Sequence, residues 1–299
     1  MSVFTKIKNR TKRAFLFVKD FFYRTTHRQP KVMTIEKTLD YILENKCSVA
    51  RYGDGELKLA YFENSKLYFQ SYDERLSQKL RDGITLNNDK VLICLPDIFG
   101  LLKRFKKDSK IFWQNYMFEN RSGMLGKIPT NRTYGNAFIT RPYNDLKDKS
   151  KSGIYFDKLK RIWENKKVLI VEGEKSRLGT GNDLFLKCEI VERVLCPIDN
   201  AFKKYDEIIS FVESEEKYKD YLILIALGPT ATAMAIDLSE KGLWAIDIGH
   251  IDIEYEWFNL KTDHKVAIKG KYCGEAPDGK EVEDSTDEKY LSQIVKKIL

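Results

Sequence analysis

From residue 33 onward, short unbroken apolar runs alternate with stretches in which apolar residues return every three or four positions. Val91-Leu92-Ile93-Cys94-Leu95, stopped by Pro96, and Val168-Leu169-Ile170-Val171 contain no polar residue, as expected of strands covered on both faces. Cys47-Ser48-Val49-Ala50 is a shorter run of this kind, and 190–196, 221–227 and 243–248 read as further strands. The helical period predicts helices over 34–45, opened by a Thr34 cap, over 108–119, up to 165, and over 201–213 and 231–241. Strands alternating with helices predict a mostly parallel sheet with helices on both faces, a Rossmann-like α/β architecture. No internal repeat or low-complexity linker interrupts 33–299, which reads as one domain.

Residues 1–32 follow another pattern. Phe4, Ile7, Thr11, Ala14 or Phe15, Val18 and Phe22 recur at helical spacing, while Lys6, Arg10, Arg13 and Arg24 lie largely off that stripe. The 299-residue chain is 42% hydrophobic with a formal charge of +8, and all of that excess sits here: nine Lys or Arg against the single acid Asp20. The remainder is neutral, which argues against a nucleic-acid groove across the domain. The basic amphipathic helix has two readings, residues 1–30 lying on an anionic membrane surface or the stripe packing on the domain. Five scattered cysteines, an odd total without zinc spacing, point to reduced thiols and a cytosolic setting. No apolar run approaches the roughly 20 residues of a membrane span. The expected location is cytoplasmic and peripheral on the inner face of the cell membrane.

In such a sheet, ligands gather beyond the carboxyl ends of the strands, so the residues just after each strand form a set. The first is Arg51-Tyr52-Gly53-Asp54-Gly55-Glu56, two carboxylates in a glycine-flanked turn. Mg²⁺ and Mn²⁺ take oxygen ligands, usually one or two carboxylates with phosphate and water completing the shell, and Asp54 and Glu56 supply such a pair. Gly53 and Gly55 let a ligand approach the backbone, and Arg51 offers a phosphate fork. The stretch 172–183 sets Lys175 and Arg177 among Gly179, Gly181 and Asn182, a loop suited to a diphosphate, with Asn182-Asp183 capping a following helix. It lacks the Walker A order. Gly228-Pro229-Thr230-Ala231-Thr232 opens a helix whose N-terminus favours an anion, with Thr230 and Thr232 at the cap. In 249–258, His250 titrates near neutrality and Asp252, Glu254 or Glu256 are candidate bases or further metal ligands; on a helix 252 and 256 share a face and 254 points elsewhere. Asn136 and Arg141, with Arg132, Tyr134 and Tyr143, suit a sugar or nucleotide. Each segment alone also reads as an ordinary turn, cap or loop, so the argument rests on their company.

Together these blocks resemble the bacterial GT-D-type glycosyltransferases, long catalogued as a domain of unknown function. The likeness rests on 51–56, 134–143, 173–183, 228–232 and Asp247-Ile248-Gly249-His250-Ile251-Asp252 with Glu254 and Trp257, and spans roughly 35–260. It implies one Rossmann-like domain of GT-D type, a nucleotide-sugar donor, usually a UDP-sugar, and a divalent metal, Mn²⁺ or Mg²⁺, held by Asp54 and Glu56. The expected activity is hexose transfer from a UDP-sugar to a hydroxyl of a glycan acceptor, of a lipid-linked surface polysaccharide or of a glycoprotein. Asp252, Glu254 or Glu256, oriented by His250, would be the base if the anomeric centre inverts. A nucleotide-sugar hydrolase and a non-catalytic, membrane-recruited nucleotide-sugar binder are the alternatives. A homodimer stays open.

Overall fold

The carboxyl ends of four adjacent strands meet at one edge of a single sheet, and that edge is where the polar loops collect. The computed structural model describes residues 3–62 and 67–299, with side chains from Ala14 onward. Its strands are β1 (Lys31–Val32), β2 (Ser48–Arg51), β3 (Val91–Leu95), β4 (Thr133–Asn136), β5 (Lys167–Gly173), β6 (Ile190–Cys196), β7 (Leu222–Ala226), β8 (Trp244–Asp247) and β9 (Ile294–Lys297). They lie in the order β1-β4-β3-β2-β8-β7-β5-β6-β9, every neighbouring pair parallel. Parallel strands need crossovers, and helices supply them on both faces. The helices are α1 (Val3–Thr26), α2 (Ile35–Asn45), α3 (Asp54–Tyr61), α4 (Glu74–Thr85), α5 (Lys107–Met124), α6 (Ser152–Trp163), α7 (Tyr205–Ser214), α8 (Pro229–Glu240), α9 (Ile251–Asn259) and α10 (Glu288–Ser292). The Rossmann-like α/β architecture expected from the pattern is present.

Local chemistry explains the element boundaries. Thr34 caps α2 by accepting the Lys37 N–H, and Asp73 caps α4 through the Leu76 N–H. β5 and β7 are apolar because helices cover both their faces, and Val168–Val171 and Leu222–Ile225 are fully buried. One cluster of buried side chains runs from Ile35 to Ile298.

Four expectations need correction. The turn read at 53–56 is the start of a helix: Gly53 is the N-cap of α3, and Glu56 folds back to accept the Gly53 N–H at 2.7 Å. No helix follows Asn182-Asp183, because Asn182 closes a tight turn onto the Leu184 N–H at 2.9 Å. Part of 131–143 is β4 and a 3-10 turn, 137–140, not a loop. Finally, α1 does pack on the domain, against α5, and the described stripe residues Phe15, Val18 and Phe22 take little part in that contact. Asp20 is buried against Arg121 at 2.5 Å, whereas Phe15, Val18 and Phe22 are exposed. The stripe positions Phe4, Ile7 and Thr11 have side chains outside the described residues. Among the described residues, no helix is long and apolar enough to cross a membrane.

Candidate active site

Because β2, β8, β7 and β5 are neighbours, the segments that follow them converge. They enclose a cavity of about 410 Å³ lined by Arg51, Gly53, Asp54, Gly55, Glu56, Arg141, Gly173, Gly228, Asp247, Gly249, His250 and Asp252 among others. That size suits a small-molecule site. Three helices begin at this cavity, α3 at Asp54, α8 just after Gly228 and α9 just after His250. Their N-termini bring uncompensated N–H groups and positive dipole ends to one place, which favours an anionic ligand.

At the floor, Arg51 and Asp247 form a buried pair. Arg51 donates from Nη2 to Asp247 Oδ1 at 2.7 Å and from Nε to the Asp247 carbonyl at 2.8 Å. Thr232 links the two, donating to the Arg51 carbonyl at 2.8 Å and lying 3.1 Å from Asp247 Oδ2. Burial raises the Asp247 carboxyl although Arg51 pulls it down. Gly249 belongs to this arrangement: its φ is +42°, and a Cβ there would overlap the Arg51 guanidinium. The fork expected to hold a phosphate is thus largely engaged by Asp247.

Glu56 stands beside that pair. Burial, then the charges of Asp247 and Asp54, push its carboxyl up to about 7. A carboxylate beside two other acids at a cavity wall is a place where a cation relieves repulsion. Among the described residues, no three His, Cys, Asp or Glu side chains form a ligand cluster. Asp54 and Glu56 bring two carboxylates to the cavity wall, and a hard cation held by them would take its remaining oxygens from phosphate and water.

The other wall carries His250. Its Nε2 is buried without a hydrogen-bond partner and lies 3.5 Å from Glu275 Oε1. Burial lowers the imidazole to about 4, so the ring is neutral near pH 7. Glu275 pairs with Arg141 and Lys265; although burial opposes it, Arg141 with Lys265 keeps its carboxyl well below the ordinary range. Arg141 is correspondingly raised by Glu275 against the effect of its own burial.

Other candidate residues are placed elsewhere. Lys271 is buried and donates to Asp252 at 2.7 and 2.9 Å and to Glu256 at 2.8 Å, so those two acids share one cation. Asn182 completes the cluster, and Gly179 N–H donates to Asp252 at 2.8 Å. Glu254 points the other way and accepts the Asn144 and Tyr143 N–H groups at 2.9 and 3.3 Å. Asp252 thus reaches the cavity already neutralised, and neither Glu254 nor Glu256 lines it. Lys175 donates to the Val282 carbonyl at 2.8 Å, and Arg177 donates to Gly270 at 2.9 Å and to Glu283. These cations fasten the C-terminal segment, and neither lines the cavity. Gly181 turns the same loop at φ +79°. Asn136 caps the 3-10 turn through the Phe138 N–H, and Thr230 is buried near Gln70. Glu275 and Lys271, absent from the sequence reading, arrive on that segment. Their only signal was a glycine-rich polar stretch, 270–279, with no period to place it.

Comparisons with known proteins agree with this fold. The family model described as "Glycosyltransferase GT-D fold" matches residues 49–276. "Probable glycosyl transferase Gly" of Streptococcus gordonii is 42% identical over 269 residues, and "Glycosyltransferase GlyD" of Streptococcus pneumoniae serotype 4 is 39% identical over 271. Each alignment covers 90% of this chain, which spans only 39% and 33% of those relatives' lengths. A solved structure described as "The highly conserved domain of unknown function 1792 has a distinct glycosyltransferase fold" superposes with a TM-score of 0.86 at 40% identity, covering 94% of this chain and all of that one. "A New Glycosyltransferase (DUF1792) from Streptococcus sanguinis" superposes at 0.84 and 40% identity, covering 91% of this chain and all of that one. With a family match over most of its length and a sheet edge built as described, the chain belongs to the GT-D glycosyltransferase family.

Proposed function

We propose that the chain transfers a hexose from a UDP-sugar to a hydroxyl of a glycan acceptor, with a divalent cation at Asp54 and Glu56. The observation that carries this reading is the convergence of that acid pair with three helix N-termini in one cavity. Such a cavity accepts a diphosphate and a cation together, where either alone would leave charge uncompensated. The names of the relatives support glycosyl transfer as the reaction. Tyr68, Phe69 and Tyr272 at the cavity add flat faces for a nucleobase.

The chemistry divides among residues of this chain. Backbone N–H groups at the starts of α3 and α8 bind the diphosphate, and Gly228, at φ +55°, keeps the chain close to Phe69 where a Cβ would collide. A bound cation would neutralise charge that develops on the departing diphosphate. In an inverting transfer the acceptor oxygen bonds to the anomeric carbon as the bond to the diphosphate breaks, and the hydroxyl proton passes to His250 Nε2. Glu275, 3.5 Å away, stabilises the resulting imidazolium. His250 takes this role because Asp252 and Glu256 are neutralised by Lys271 and Glu254 is buried outside the cavity.

Titration calorimetry with Mn²⁺, thermal stabilisation by UDP-sugars and product analysis test this together. Asp54→Asn with Glu56→Gln should remove cation-dependent donor binding and lower transfer by at least about a hundredfold in a folded protein. His250→Gln should keep donor binding and lose transfer. Undiminished transfer in excess chelator, or by the double variant, refutes the cation role.

A further inference from the structure

Helix α1 is held to the domain by a buried ion pair with a few apolar contacts beside it and leaves most of its large apolar side chains exposed. Asp20 is buried and accepts from Arg121 Nε at 2.5 Å. Arg121 also donates to Gln29 Oε1 at 2.7 Å and to the Phe99 carbonyl at 3.0 Å. Leu16 and Tyr23 share this domain-facing side, both partly buried. On the opposite side Phe15, Val18 and Phe22 are 56–68% exposed, and Phe17 and Phe21, 56% and 50% exposed, lie nearer the domain, Phe17 edge-on to Phe118 of α5 at 5.9 Å between ring centres.

Placed at the helical 100° per residue, those five fill an unbroken arc of roughly 160°, in which no residue between 14 and 25 is charged. Lys19 borders the arc on one side and Arg24 on the other. Single exposed apolar residues are ordinary in a soluble protein, but a contiguous aromatic face of this width marks an interaction surface. Leu101, also exposed, extends it, sharing a groove with Phe17 and Phe21 whose rim carries Lys103 and Lys110.

Charge identifies the partner. The only acid among residues 1–32 is Asp20, and it is turned inward and neutralised by Arg121. Everything ionic that the leader offers outward is therefore basic. A second copy of the chain is a poor occupant, since pairing would bring two leaders of +8 each together. An anionic bilayer surface satisfies both features at once, with aromatic side chains entering the headgroup boundary and the flanking lysines and arginines meeting lipid phosphates. We infer that α1 is an in-plane membrane-docking helix whose outward face, centred on Phe15, Val18 and Phe22, seats this protein on anionic lipid. This inference stands independently of the glycosyl-transfer reading.

The test is flotation of the full chain with phosphatidylcholine vesicles, with and without about a quarter of phosphatidylglycerol. The chain should partition onto the anionic vesicles and less so as salt rises. Phe15→Ser/Val18→Ser/Phe22→Ser should lower the partition coefficient at least about tenfold with an unchanged thermal midpoint, because these side chains touch little of the domain. Lys19→Glu/Arg24→Glu, which leaves the apolar face intact, should weaken binding to anionic vesicles and flatten the salt dependence. Equal binding by wild type and both variants, or a wild type that stays in solution, overturns the proposal. So does a wild-type dimer in sedimentation equilibrium that the serine variant dissolves.

Discussion

Glu254→Gln separates a structural acid from a catalytic one. Glu254 is completely buried, accepts two backbone N–H groups through Oε2, and leaves Oε1 without a partner. Burial, opposed in part by Arg141 and reinforced by Asp145, lifts its carboxyl to about 7 from 4.5. Below the unfolded value both states are protonated and the group contributes nothing adverse. As the pH rises, the unfolded chain loses its proton first, so stability falls until the native group also ionises. The full gap corresponds to about 3 kcal/mol of stability lost by slightly alkaline pH. Glutamine keeps the acceptor for Asn144 and Tyr143 but cannot ionise, at the cost of about 1 kcal/mol for a buried unpaired NH₂. Urea unfolding followed by circular dichroism should therefore find the variant equal to wild type or slightly weaker at about pH 4, and ahead by about 2 kcal/mol above about pH 8. Sugar transfer should persist. A constant offset between the two proteins across that range refutes the titration argument, and loss of transfer in a stable variant returns Glu254 to the reaction.

Two further predictions concern the cavity's supports. Lys271→Met leaves Asp252 and Glu256 facing each other without their cation, which should cost on the order of 3–5 kcal/mol in denaturant unfolding, whereas Lys271→Met with Asp252→Asn and Glu256→Gln should recover most of it. Gly249→Ala adds a Cβ at positive φ against the Arg51 guanidinium; a melting temperature and donor affinity equal to wild type would show that the close approach does not constrain the floor.

The central strands were legible from their unbroken apolar stretches, such as Val91–Leu95, Val168–Val171 and Leu222–Ala226, a pattern that a sheet covered on both faces needs. β1 and β9 were not, since Lys31–Val32 is too short for any period and Ile294–Lys297 ends in two exposed lysines at the sheet's edge. The start of α3 was hidden for a different reason: Gly53-Asp54-Gly55 has turn composition, and only the reach of Glu56 back to the Gly53 N–H makes it a helix cap. The loops after β2, β7 and β8 do supply the cavity. The loop after β5 does so with Gly173, Ser176 and Leu178, while its cations serve another purpose. A lysine or arginine among glycines meets a phosphate or a carbonyl oxygen equally well, and Lys175 and Arg177 meet carbonyls of a segment roughly a hundred residues later.

That segment also explains why the acids near His250 could not be ranked from sequence. Helical spacing puts 252 and 256 on one side and 254 on the other, and the structure keeps that division. What the spacing lacks is the counter-charge. Lys271 neutralises the first pair, while Glu275 enters beside His250 and Arg141. The same accounting distinguishes Glu56. Arg51 offsets Asp247, and Arg141 with Lys265 offsets Glu275, whereas the charges weighing most on Glu56 are the acids Asp247 and Asp54. In the proposed reaction, with the cavity's other acids offset by arginine or lysine, Asp54 and Glu56 are the carboxylates left to meet an added cation.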